Sequence, residues 1–415
     1  MSTVGPSRRS APAILGALAL LYMAQGIPFG FASEYLPVML RQSGYSLTAI
    51  AALSWLQLPW QLKVFWATAA DQPWARARSR ATLLALQLLL AATVAAYARF
   101  PLATAATIWF VLTFLAALFA ATQDVFVDAL AVRLLLPSER GVGNVAQVAG
   151  YRVGILAGGA GMLLVASSLG QARTLLACAA VIALAGGGAF VLRHDLERPV
   201  EPVDAESPAG PRGRLPIWAV FRHVVSPGAW PVLALALTFK LGLHMSSGLL
   251  KPMCVDAGWT TAQIGWAVVT VGTVCSLGGA ALGGALHRAT REARALAVCA
   301  VLQAAVCVPL LVASRSGVPH GLTIFAIALE HFTSGLGTTV LFAALMSATR
   351  TENAGLQYTI LTSANAVAIG LGGLLGGLAG DLLGKTVTFS LAGLVCLAPM
   401  PLLLSWERAA RRSAT

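Results

Sequence analysis

A chain of 415 residues that is 57% hydrophobic and 11% charged carries more apolar surface than a soluble fold of its length can bury, and a helical membrane bundle is the class that uses it. The net charge of +12 does not mark a nucleic-acid binder. The basic residues concentrate on one set of loops (Arg76, Arg78, Arg80, Arg288, Arg291 and Arg294 among them), a positive-inside pattern that puts both termini in the cytoplasm. The six cysteines are scattered without paired spacing, which argues against a disulfide or metal framework, so no metal site and no bound cofactor is expected.

In chain order, Arg8 and Arg9 precede an apolar run over 12–40 that shows no convincing cleavage site and reads as the first membrane helix. Gln25 lies near its mid-depth. Gly26, Pro28 and Gly30 should loosen it, as suits a moving part. Glu34, nearer the outer end, is either a proton site or a solvated carboxylate. The second span, 47–70, holds Trp55, Trp60, Trp66 and Lys63. A charge in hydrocarbon costs about 2.5–3.5 kcal/mol even on insertion scales, so Lys63 is a functional candidate by default. Spans follow at 80–98, 102–132, 143–168 and 172–193. Asp124 and Asp128 lie four residues apart, hence on one helix face, and Arg152 enters the fifth span. By a rise of ~1.5 Å per residue, Lys63 and Asp124 lie ~12 Å deep, with Asp128 one turn shallower. Asp128 and Arg152 read as an ion-pair gate; Lys63 and Asp124 fit gate or substrate contact equally. Asp71 lies ahead of Arg76, Arg78 and Arg80 in the loop to the third span.

A polar, proline-bearing stretch over 194–228 is expected to be a cytoplasmic linker between bundles at 1–193 and 229–415. The second bundle has spans at 229–251, 260–286, 295–313, 320–347, 356–382 and 386–405. Lys240 and Glu330 fall near mid-depth and are expected to pair in the empty protein and to exchange that partner for substrate or a proton, so Glu330 joins Asp124 and Glu34 as a candidate proton carrier. His244, one turn beyond Lys240, is either a hydrogen-bonded core residue or a ligand contact. His331 should point about 100° away from Glu330.

The halves echo each other. Leu36, Met39, Gly44 and Ile50 recur as Leu250, Met253, Gly258 and Ile264, and Ser138-Glu139-Arg140-Gly141 recurs as Thr351-Glu352-Asn353-Ala354. Such a repeat resembles the major facilitator superfamily: an all-α membrane protein of twelve transmembrane helices in two pseudo-symmetric six-helix halves, with substrate near the midplane.

The runs Leu58-Pro59-Trp60-Gln61-Leu62-Lys63, Gln123-Asp124-Val125-Phe126-Val127-Asp128, Gly150-Tyr151-Arg152-Val153-Gly154 and Phe239-Lys240-Leu241-Gly242 resemble AmpG-type muropeptide permeases and acetyl-CoA transporters. Leu243 departs from that pattern, which has Asp there. With twelve spans and none beyond them, the chain resembles most the RhtX/FptX-type siderophore permeases, the ferripyochelin permeases above all. That resemblance implies a monomeric bacterial inner-membrane importer of an intact ferric siderophore, the iron belonging to the ligand alone. Gln25, Lys63, Lys240, His244 and Glu330 would then contact substrate. Glu34, Asp71, Asp124, Asp128 and Arg152 would couple protons or gate. No Walker-type loop and no nucleophile–base pair appears, which points to a proton-driven transporter and not an enzyme. A muropeptide or acetyl-CoA permease is the near alternative; a non-transporting membrane receptor is the alternative from another class.

Overall fold

A computed structural model describes residues 11–66, 78–102, 104–135, 140–188, 229–315, 317–348 and 354–404. Asp71 and the linker 194–228 lie outside the described residues. The described structure is helical throughout. Among the described residues ten helices are long and apolar enough to cross a membrane: α1 (Pro12–Gln42), α3 (Ser79–Arg99), α4 (Ala106–Ala131), α5 (Ala146–Leu169), α7 (Trp230–Asp256), α8 (Thr261–Ala289), α9 (Glu292–Ala313), α10 (His320–Ser347), α11 (Ile360–Leu383) and α12 (Lys385–Leu404). Between them lie α6 (Gln171–Ala185), a shorter apolar helix, and α2 (47–65). The second span, expected as one helix over 47–70, is instead a chain of short α and 3₁₀ turns: Leu47–Ala51, Ala52–Gln57, Leu58–Leu62 and Lys63–Phe65. Lys63 therefore sits on a 3₁₀ turn.

Among the described residues five glycines adopt left-handed backbone: Gly317 (φ +75°) and two matched pairs, Gly44 (φ +83°) with Gly258 (φ +79°) and Gly170 (φ +76°) with Gly384 (φ +81°). Each pair is separated by the same interval as the sequence echo, so the repeat is built into the backbone where only glycine turns without strain. Widened π-helical turns interrupt α1 at Phe31–Tyr35, just after Pro28, and α5 at Ala157–Gly161. The two widened turns pack against each other.

The chain divides into two compact units. The first comprises Met1–Ser43, Trp55–Ala205 and Thr261–Gly265; the second comprises Gly44–Ser54, Glu206–Thr260 and Trp266–Thr415. In the first, α1 and α5 meet through glycine. A Cβ on Gly26, Gly150, Gly154 or Gly158 would overlap the main-chain oxygen of Tyr151, Ala19, Met23 or Ile27 respectively. Backbones approach this closely in lipid because no hydrophobic force separates helix from tail, and contact is the main source of association. Phe31, Tyr97 and Trp109 stack at 4.6–6.3 Å and join α1, α3 and α4.

In the second unit α8 and α10 use the same device, with Gly279 against the Phe332 oxygen and Gly335 against the Ser276 oxygen. Here α11 also clasps the start of α2. Asp381 accepts hydrogen bonds from the Leu47 and Thr48 amides (2.9 and 2.8 Å) and from the Thr48 hydroxyl (2.7 Å). Ser46 caps the same turn through the Ala49 amide. Asp381→Ala removes the carboxylate from three donors, and the expected result is a loss of about 1–2 kcal/mol, the range of a lost N-cap, read as a lower melting temperature in detergent. An unchanged melting temperature would show that Ser46 alone holds the turn.

Candidate functional site

Each unit holds its own cluster of polar and charged side chains inside apolar helices. In the first unit the cluster begins where α2 loses its α-helical winding. The 3₁₀ turn at Lys63 points its ammonium at Asp124 on α4, and the two form an ion pair. Asp124 is buried and Lys63 half-buried, so the pair is only partly screened by solvent and is stronger than a surface bridge. Lys63 also stands 5.7 Å from the Trp60 ring. Trp60 meets Tyr151 of α5 edge-on at 5.9 Å, and Tyr151 meets Phe29 of α1 at the same distance. One aromatic wall thus continues from α2 through α5 to α1.

Asp128 and Arg152, expected to pair, do not: Arg152 is exposed, and among the described residues Asp128 is held by neutral donors, the Tyr22 hydroxyl at 2.8 Å and the Gln147 amide at 3.2 Å. The carboxylate needs no cation because two hydrogen bonds replace much of its hydration. Lys63, Asp124, Asp128 and Arg152 are therefore one ion pair, one carboxylate held by neutral donors and one exposed guanidinium. We expect Asp128→Asn and Tyr22→Phe each to slow exchange across the membrane by roughly tenfold, the worth of one charge-assisted hydrogen bond, with little change in ligand affinity. Collapse of affinity with exchange intact would move Asp128 from gating to ligand contact.

Gln25 is fully buried on α1, three and four residues from Tyr22 and Phe29, and neither its Nε2 nor its Oε1 has a partner. A buried amide left unmatched costs free energy, so this is a place where a polar group of a ligand is favoured. Glu34 is half-buried, and its stem lies on Gly159, where the two widened turns meet.

In the second unit Lys240 is buried on α7 and donates to the Ser334 carbonyl of α10 at 2.8 Å. It was expected to pair with Glu330, but Ser334 lies one turn further along α10, and Lys240 reaches that turn instead. Glu330, also buried, accepts from the Ser247 hydroxyl and stands 2.9 Å from the His331 Nδ1. The expected divergence of Glu330 and His331 fails because the imidazole folds back: Nδ1 also lies 3.0 Å from the Ile327 carbonyl. His244 lies within electrostatic reach of both Lys240 and Glu330. Two further groups carried no signal in the sequence. Gln303 on α9 is buried with both amide atoms unpartnered, and fits only because Gly337 has no Cβ. Ser247 and Ser334 are ordinary small helix residues until α7 and α10 are set side by side. No group of three or more His, Cys, Asp or Glu side chains that could hold a metal occurs among the described residues.

Comparison with known proteins adds to this geometry. The family model described as acetyl-coenzyme A transporter 1 matches residues 15–169. The anhydromuropeptide permease of Escherichia coli is 26% identical over 373 residues, covering 84% of this chain and 71% of the permease. A putative AmpG 4 transporter of Rickettsia conorii is 23% identical over 364 residues, covering 84% of this chain and 85% of the relative. Among solved structures, a POT family transporter in complex with 5-aminolevulinic acid superposes with a TM-score of 0.70 at 13% identity, over 95% of this chain and 96% of that one. A bacterial homologue of the lysosomal transporter Spinster superposes with a TM-score of 0.63 at 12% identity, over 95% and 96%. With apolar helices long enough to span a bilayer, these findings make the protein a multi-pass membrane transporter and not an enzyme, AmpG-like in sequence and sharing the fold of POT-family transporters.

Proposed function

We propose that the protein is a proton-driven permease of the inner membrane for solutes of the anhydromuropeptide class, which are polar, amide-rich and anionic. The observation that carries this reading is the similarity to the E. coli anhydromuropeptide permease along 84% of the chain. Each cluster, taken by itself, suits such a solute: in the first unit Lys63 offers a cation, Gln25 an unpartnered amide and the Trp60–Tyr151–Phe29 wall flat apolar faces; in the second Lys240 offers a cation and Gln303 an unpartnered amide. In the same proposal the chain crosses the membrane twelve times in two six-helix halves, keeps both termini in the cytoplasm and acts as a monomer by alternating access.

A ferric siderophore is the second reading, and one observation favours it. Leu243, where AmpG-type permeases carry Asp, is fully buried in an apolar cluster with Val306 and Cys396, so that acidic contact is absent from this chain. Ligand-induced stabilisation separates the readings, because a ligand that binds only the folded state raises the melting temperature by mass action. Anhydromuropeptide should raise it, and ferric pyochelin and acetyl-CoA should not. Stabilisation by ferric pyochelin alone would overturn the substrate class in favour of the siderophore; stabilisation by acetyl-CoA alone would do the same for a nucleotide-bearing thioester.

A further inference from the structure

The surroundings of Glu330 can take up one proton. Among the described residues two side-chain protons face it, and each is shared with a main-chain carbonyl. The Ser247 hydroxyl lies between a Glu330 oxygen and the Leu243 carbonyl, 3.0 Å away. The His331 Nδ1 lies between the other Glu330 oxygen (2.9 Å) and the Ile327 carbonyl (3.0 Å). Since Nδ1 faces two acceptors, it must carry the hydrogen. The carboxylate thus holds neither proton to itself. A third proton placed on the Glu330 oxygen beside Ser247 ends the sharing there: the carboxyl donates to the Ser247 hydroxyl oxygen, and Ser247 turns its own hydrogen to the Leu243 carbonyl. No heavy atom has to move, and the buried charge changes by one.

We propose that Glu330 is the proton-binding site of the transport cycle, with Ser247 and His331 as its positioning residues. One proton adds to the carboxylate oxygen and leaves from it; no other bond forms or breaks. Among the described residues, the groups acting on Glu330 electrostatically are His331 on its own helix, Lys240 and His244 on α7, Cys307 on α9 and Cys396 on α12. From α8 it is Gly272 that meets the His331 ring. Lys240, drawn aside to Ser334, balances the ionised carboxylate without donating to it. Loading a proton therefore leaves Lys240 as an uncompensated buried cation, and an anionic solute group is then favoured beside it. Proton and anionic solute would bind together, as symport requires.

This inference rests on the reading of the protein as a proton-driven permease, but it is tested without any solute. Proton-induced infrared difference spectra of the full chain in detergent should show the carbonyl band of a buried carboxylic acid. Glu330→Gln should abolish the band. Ser247→Ala should move it to higher frequency, because the carboxyl loses its hydrogen-bond partner. A band that persists in Glu330→Gln, or that is lost in Asp124→Asn instead, would overturn the proposal. If Glu330→Gln does not fold, Ser247→Ala decides, and an unmoved band rejects it. A wild-type protein without the band overturns this proposal whichever solute is carried, and a failure of anhydromuropeptide to bind leaves the band untouched.

Discussion

Lys240→Ala abolishes gradient-driven uptake: initial rates in proteoliposomes fall by at least about tenfold, which corresponds to 1.4 kcal/mol or more. Lys240 is buried on α7 with its ammonium on the Ser334 carbonyl, and Glu330 is buried close by on α10. The two are not bonded to each other, but removing one of two nearby buried opposite charges leaves the other less compensated, at a cost below the ~3–5 kcal/mol of breaking a bonded buried pair. A lower melting temperature should therefore accompany the loss of transport. The double variant Lys240→Met with Glu330→Gln separates the two effects. With neither charge present it should regain most of the melting temperature but none of the uptake. Near-normal uptake in Lys240→Ala would remove this lysine from the transport site.

Gly154→Val is the second large effect, expected to destabilise the protein by about 3 kcal/mol, the upper end for forcing extra atoms into a packed core. A Cβ there would overlap the Met23 carbonyl oxygen and lie 2.8 Å from the Gly26 Cα. The obstacles are backbone atoms of α1, which no side-chain rotation can clear. Gly278→Ala on α8 is the control, since a Cβ there meets nothing within 4 Å; it should be neutral or slightly stabilising, because alanine is the better helix former. Melting curves of both variants in the same detergent check the pair. Equal behaviour would show that the α1–α5 seam opens without cost.

Much of the helical layout is legible in apolar run lengths, since a bilayer sets a minimum span. The breaks are not. Residues 47–65 read as part of one apolar span yet wind as short α and 3₁₀ turns, because hydropathy registers polarity and not backbone winding. The Lys63–Asp124 pair was accessible because two opposite charges at equal depth seek each other. The Asp128 partners were not, because Tyr22 and Gln147 carry no charge and resemble core residues. Lys240 and Glu330 differ by a single turn in register, which depth estimates along separate helices cannot resolve. The grip of Asp381 on Leu47 and Thr48 joins residues more than 300 positions apart, and no local pattern encodes it. The glycines were visible as a composition, but their facing carbonyls became visible only with the seam assembled.

The most direct measurement is uptake of labelled anhydromuropeptide into proteoliposomes, with and without an inward proton gradient, beside iron-labelled ferric pyochelin. Accumulation of the muropeptide that rises with the gradient and is absent from empty liposomes is the expected result. Gradient-dependent entry of ferric pyochelin with no entry of muropeptide would contradict it and establish the siderophore as the solute.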